Sequence, residues 1–154
     1  MLSADARQKI EKLTKVYETS QSALIPALHI AQADQTWLSE ETQREVAQLL
    51  GLTAQSVRQV VTFYTMFQQK PVGRHLIQVC RNLSCTLLGG QKLQKQIQDK
   101  LNLADGETTE DGRFTYVSVE CLGSCGTAPV LMVNDRYYEN VTPPEVDRLL
   151  DELK

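Results

Sequence analysis

The sequence predicts an α+β protein, with an N-terminal helical bundle over residues 1–70 followed by an α/β domain over residues 71–154. In the first half, apolar residues recur at the three-and-four spacing of amphipathic helices. The segment Lys70-Pro71-Val72-Gly73 then breaks that pattern. Beyond it, short apolar or alternating runs are interleaved with helical stretches in the order strand, helix, strand, hairpin, helix, the pattern of an α/β or α+β sandwich.

Ala6, Ile10, Leu13 and Tyr17 give the first helix one apolar stripe. A second helix is expected from about Ser22 to Ala33, with Pro26 tolerated in or near its first turn. Ser39 is placed to cap a third helix, where Glu40 and Glu41 suit the positive end of the dipole. Val46, Leu49 and Leu50 form its apolar face, and Gly51 ends it. Thr53 caps a fourth helix, on which Val57, Val60, Val61 and Tyr64 share a face. Phe63, Tyr64, Met66 and Phe67 read mainly as core, with a partner-facing role as the alternative, and Trp37 as a packing anchor between helices.

In the second half, His75–Cys80 is a short apolar strand, and about Gly90 to Leu101 is a helix with Leu93, Ile97 and Leu101 on one face. The acidic stretch ADGETTEDG is a solvated loop. Phe114–Glu120 alternates, with Thr115, Val117 and Val119 facing one way. Val130–Val133 is a buried strand, turned at Asn134-Asp135 into Arg136-Tyr137-Tyr138. Thr142 and Glu145 have capping-box spacing, and Pro143 suits the first position of a closing helix.

Composition narrows the class of function. The 154 residues are 42% hydrophobic with a net charge of -3, which offers no global attraction to nucleic acid or to anionic lipid. Residues 1–70 carry 7 basic and 7 acidic side chains, against 9 and 12 in residues 71–154, so the cysteine-bearing half is the acidic one. The N-terminus lacks the apolar core of a signal peptide, and no apolar run approaches the length of a membrane span. These features predict a soluble intracellular protein, where four cysteines ask for a role other than structural disulfides.

The cysteines form two pairs, Cys80-x₄-Cys85 and Cys121-x₃-Cys125, each starting where a predicted strand runs into a loop. Gly123 and Gly126 let the second loop curl and aim N–H groups at sulfur. Ser84, Thr86 and Ser124 add hydroxyls within reach of thiolate or sulfide. Four soft thiolates suit an iron–sulfur cluster or zinc. Structural zinc favours C-x₂-C knuckles and thioredoxin-type redox chemistry needs C-x-x-C; neither occurs. Four unrelated buried cysteines remain the bland reading. Among clusters, [2Fe–2S] fits two ligand pairs, one per iron, while spacing alone leaves [4Fe–4S] open. Four thiolates and two sulfides around two ferric ions carry a formal charge of -2. Arg81 is the only cation beside either loop, and Glu120 precedes Cys121, so a low reduction potential is expected.

The cysteine pattern, the second pair within VECLGSCGTAP, and the segments SALIPALHIAQ, Trp37-Leu38 and VVTFYTMF together resemble one family over nearly the whole chain. It is the thioredoxin-like [2Fe–2S] subunit of respiratory complex I, known in bacterial NADH–quinone oxidoreductase as the E-type component. The resemblance implies a helical region followed by a thioredoxin-like domain. It also implies one [2Fe–2S] cluster on Cys80, Cys85, Cys121 and Cys125. As partner it implies a flavoprotein, the F-type component, that binds NADH, FMN and a [4Fe–4S] cluster and exchanges electrons with this centre. Such a chain would be a non-catalytic, electron-carrying part of an NADH dehydrogenase, cytoplasmic and peripheral to the inner membrane through the assembled complex. Close relatives serve NAD-linked hydrogenases and NAD-dependent formate dehydrogenases. Thioredoxin-like folds often carry a cis-proline where Pro129 stands. In keeping with a partner-borne NADH and FMN site, no G-x-G-x-x-G follows a predicted strand.

A rival reading takes residues 39–67 as a helix-turn-helix, which with a cluster would make a redox-sensing regulator. Its recognition helix offers Arg58 as the only cation, and phosphate contacts dominate DNA affinity, so nucleic acid is not an expected partner. His29 and His75 lack ligand partners at metal spacing and read as surface or cap residues. No nucleophile–base pair or acid–base dyad is present, so no catalytic residue is expected.

Overall fold

Ser3, Thr19, Ser39 and Thr53 each accept a hydrogen bond, through the side-chain oxygen, from the backbone N–H three residues ahead, and each begins a helix. In the computed structural model, which describes residues 1–153, these helices are α1 (Ala4–Val16), α2 (Ser20–Gln35), α3 (Glu40–Leu50) and α4 (Ala54–Phe63). They make up the first of two units, Met1–Pro71. Its core gathers Ala6 and Ile10 with Leu24, Leu28, Leu38, Val46, Leu50, Val57 and Val61.

Two details depart from the sequence reading. Pro26 lies inside α2, beyond its first turn, because the helix starts at Ser20. Leu38 is fully buried, and Trp37 beside it is partly buried. Of the aromatic run at the end of α4, only Phe67 is buried; Phe63 is 76% exposed, and Tyr64 and Met66 also reach solvent. The helix ends at Phe63, and Tyr64 caps it in extended conformation, so the four residues do not share one helical face. Arg58 is ion-paired with Glu40 at 2.9 Å, which removes the single cation of the helix-turn-helix reading.

The second unit starts at Val72. It contains β1 (His75–Cys80), α5 (Leu83–Leu87), α6 (Gly90–Leu101), β2 (Phe114–Val119), β3 (Leu131–Val133), β4 (Arg136–Tyr138) and α7 (Pro143–Glu152). The sheet order is β2-β1-β3-β4, with β1 parallel to β2 and antiparallel to β3, and β3 antiparallel to β4. The parallel pair requires a crossover, which α5 and α6 supply. Ile77, Val79, Phe114, Tyr116, Leu131 and Val133 of the sheet pack with Leu93 and Ile97 of α6 and Val146, Leu149 and Leu150 of α7. On β2 the fully buried large side chains are Phe114 and Tyr116, whereas Val117 and Val119 are only half-buried, so the opposite parity to Val117 and Val119 faces this core.

The hairpin turns at Asn134 with φ 52°, and α7 starts with the capping box of Thr142 and Glu145. The acidic loop is exposed but tied down: Asp105 accepts from the Ser118 N–H at 2.7 Å, and the Gly106 N–H donates to the Tyr116 carbonyl at 2.9 Å. His29 is exposed and tilts against Phe67, while His75 lies beside Phe114. The Ala128–Pro129 bond is cis. Among the described residues no helix is long and apolar enough to cross a membrane.

Candidate metal centre

Parallel pairing of β1 with β2 runs from His75 opposite Phe114 to Cys80 opposite Val119, so the C-terminal ends of both strands lie at the same end of the sheet. Cys80 is the last residue of β1, and Cys121 stands two residues past the end of β2. The side-chain oxygen of Asn82 accepts from the Leu83 N–H at 2.8 Å and starts α5, a one-turn helix that carries Cys85. Sequence reasoning missed this helix, and Cys85 is therefore held by a helical turn rather than by an open loop. The second pair is carried as expected: Gly123 adopts φ 74°, its N–H donates to Cys121 Sγ at 3.2 Å, and Cys125 opens a 3₁₀ turn ending at Thr127.

All four thiols are free. Cys80 and Cys85 are buried with Ala128 and Val130, while Cys121 and Cys125 are exposed. Burial works to raise the Cys80 thiol. The backbone N–H groups of Asn82 and Leu122 and the thiols of Cys85 and Cys121 outweigh it, and the net direction is down. For Cys85, burial and then the Cys80 thiol push the value up, against a hydrogen bond from the Val130 backbone, with Cys125 adding to the rise. The sulfurs thus interact in sequence: Cys121 with Cys80, Cys80 with Cys85, and Cys85 with Cys125. Among the described residues no group of three or more His, Cys, Asp or Glu side chains is arranged to hold a metal ion around one centre. Soft thiol donors, two of them buried and bonded by backbone N–H groups, fit an iron–sulfur cluster.

The two cysteine-bearing segments are tied to each other and to β4. Arg81 forms an ion pair with Glu120, the Asn82 side-chain amide donates to the Glu120 carbonyl at 3.1 Å, and the Arg81 N–H donates to the Val119 carbonyl at 3.0 Å. From β4 the Tyr137 hydroxyl donates to the Leu122 carbonyl at 3.0 Å. Two of the three hydroxyls singled out from the sequence, those of Thr86 and Ser124, are engaged elsewhere than on sulfur. Thr86 donates to the Arg81 carbonyl at 3.0 Å, and Ser124 donates to Glu139. The Ser124 and Thr127 hydroxyls in turn hold the Glu139 carboxyl below the ordinary carboxylate range. Sequence reasoning gave no signal for Glu139, whose partners lie 15 and 12 residues earlier in the chain. Leu83, Leu87 and Leu88 are all exposed on and just beyond the turn that carries Cys85.

Residues 10–154 match the family model of the thioredoxin-like [2Fe–2S] ferredoxins. The chain is 41% identical over 148 residues to the second E-type component of the NADH-quinone oxidoreductase of Rhizobium meliloti, covering 96% of this chain and 88% of that one. It is 37% identical over 153 residues to the E-type component of the NADH-quinone oxidoreductase of Escherichia coli, covering 99% and 92%. Among solved structures, an NAD⁺-reducing [NiFe]-hydrogenase in the air-oxidized state shares the fold with a TM-score of 0.75 at 22% identity, over 84% of this chain and 22% of that one.

Proposed function

The chain belongs to the thioredoxin-like [2Fe–2S] ferredoxin family, and from that premise we propose that it is the electron-transfer subunit of an NADH–quinone oxidoreductase. In this reading Cys80, Cys85, Cys121 and Cys125 hold one [2Fe–2S] cluster. The observation that carries it is the meeting of two cysteine pairs at the C-terminal ends of adjacent parallel strands, with Cys80 interacting with a thiol from each pair. A [2Fe–2S] cluster supplies a one-electron couple. The chain's own residues then do three things: they fix the sulfurs, shield those of Cys80 and Cys85 from water, and leave the Cys121–Cys125 side exposed to solvent.

The partner is an NADH-binding flavoprotein whose FMN exchanges electrons with this centre, and the hydride chemistry takes place there. The relatives are named as components of an NADH-quinone oxidoreductase, which supports an NADH-oxidising assembly around this chain. Exposed Leu83, Leu87 and Leu88 beside Cys85 are the kind of apolar surface a docked carrier presents. The reduction potential is low, because Glu120 already compensates Arg81, the cation beside the sulfurs. Association with the inner membrane, on its cytoplasmic side, comes through the assembled complex.

Anaerobic isolation, iron and sulfide analysis, and EPR after dithionite reduction test the cluster. Iron and sulfide in equal amounts with a [2Fe–2S] signal are expected; a zinc protein without a paramagnetic signal would overturn the reading. Co-purification then identifies the flavoprotein, and recovery of a hydrogenase or formate dehydrogenase in place of the respiratory complex would reassign the assembly.

A further inference from the structure

Three groups at the end of β4 and just after it reach back to the second cysteine segment. The Tyr137 hydroxyl donates to the Leu122 carbonyl at 3.0 Å, and the Asn140 N–H donates to the Thr127 carbonyl at 2.7 Å. Between them, Glu139 uses a single oxygen, Oε1, to accept from the Thr127 hydroxyl at 2.5 Å and from the Ser124 hydroxyl. Those two hydroxyl oxygens are themselves 2.7 Å apart. Ser124 and Thr127 bracket Cys125 in sequence, so the carboxylate closes a ring of polar contacts around a candidate ligand.

The chemistry of that ring has a direction. An ionised carboxylate only accepts, and it is a stronger acceptor than a neutral oxygen. The single proton on each hydroxyl is therefore held within this ring, on Glu139 or on the neighbouring hydroxyl, and away from sulfur. Hydrogen bonds to the sulfurs and net charge are two of the factors that set the potential of an iron–sulfur site. Withholding a hydrogen bond and adding a negative charge both disfavour the reduced state.

We propose that Glu139 is a positioning residue for the cluster: it fixes Ser124 and Thr127 around Cys125, keeps their hydroxyl protons off the sulfurs, and holds the reduction potential down. The proposal rests on the four-cysteine cluster proposed above, and its test separates the two. The full chain is isolated anaerobically as wild type and as Glu139→Gln, and iron, sulfide and EPR are measured first. A wild-type chain without a [2Fe–2S] signal removes the cluster reading, and this proposal with it.

With the wild-type cluster in place, a redox titration followed by EPR decides the role of Glu139. The amide of Glu139→Gln keeps the shape and can still accept from both hydroxyls, so melting of the chain is expected to stay unchanged while the midpoint potential moves to the positive side. An unchanged or more negative midpoint overturns the proposal, because a purely structural Glu139 would alter melting and cluster content and leave the potential alone. Should Glu139→Gln not yield folded protein, Ser124→Ala carries the test. Losing one anchor of the ring is expected to let a chelator remove iron about tenfold faster, with no positive shift in potential because the carboxylate remains. Wild-type chelation kinetics in that variant overturn the proposal.

Discussion

Arg81 and Glu120 form an ion pair that joins the two cysteine-bearing segments, one residue following Cys80 and the other preceding Cys121. Their side chains are 54% and 79% exposed, so the pair contributes no more than about 1 kcal/mol to stability. Its effect on the site is electrostatic. Arg81→Ala leaves Glu120 uncompensated and is expected to lower the midpoint potential, by a few tens of millivolts for one unit charge in a largely solvated setting. Glu120→Gln is expected to raise it by a similar amount, and the double variant to fall between. Redox titrations of the three chains check this, with melting temperatures as the control. Coincident potentials would show that solvent screens both charges completely.

Gly90, the first residue of α6, lies against the backbone of Cys85. A Cβ built on it would stand 2.7 Å from the Cys85 carbonyl oxygen and 3.0 Å from its carbon. Backbone cannot yield as a flexible side chain can, so Gly90→Ala is expected to displace the turn that carries Cys85 and to cost about 1–3 kcal/mol. Lower iron per chain should accompany that loss if Cys85 is a ligand. Thermal melting and iron analysis read the two effects separately, and a variant with wild-type values in both would show that α5 moves freely.

Tyr116 gives an alkaline signature in the second unit. Burial first, and then the charge of Asp105, push its hydroxyl up to about 12 from the ordinary 10.0. The unfolded chain gives up this proton near the ordinary value while the folded chain still holds it, so the folded state binds more protons within that window. Stability is therefore full below about pH 10 and falls by about 2–3 kcal/mol as pH rises to about 12. Urea unfolding across this range should show that slope, and Tyr116→Phe should flatten it. An identical slope in the phenylalanine variant would place its origin in other groups.

What the sequence made legible was governed by local patterns. The sequence bounds of His75–Cys80 and Gly90–Leu101 match the structure because a short apolar run and a three-and-four stripe are each complete within one element. The one-turn helix at Leu83–Leu87 has no room for a periodic stripe, and its signal, an Asn cap, is weak without one. Hydrophobicity places Phe63 and Met66 mainly in the core, but it does not say which side of a helix end meets solvent, and both are exposed. For the site, the two cysteine pairs stood out by spacing, but the residues that brace them did not. Glu139 acts through hydroxyls 12 and 15 residues away, a relation created by the return of β4. Ser124 illustrates the same limit. Its position suggested a hydrogen bond to sulfur, and the fold gives its proton to a carboxylate.

The division of the chain leads to a prediction about folding. The apolar core of the first unit is drawn from residues between Leu2 and Phe67, and that of the second from residues between Ile77 and Leu150. We propose that these are separate domains with their boundary in the chain near residue 71, and with the four cysteines wholly inside the second. A chain of about 80 residues can bury a core sufficient for independent folding, though with a modest margin. Residues 72–154 expressed alone should show cooperative unfolding by circular dichroism and the same iron and sulfide content per chain as the full protein. In the full chain, Ile10→Ala, which empties a fully buried site of the first core, should cost about 2–5 kcal/mol there. The second unit's unfolding transition should stay in place. A fragment without a cooperative transition, or an Ile10→Ala effect that lowers both transitions equally, would show that the two cores fold as one.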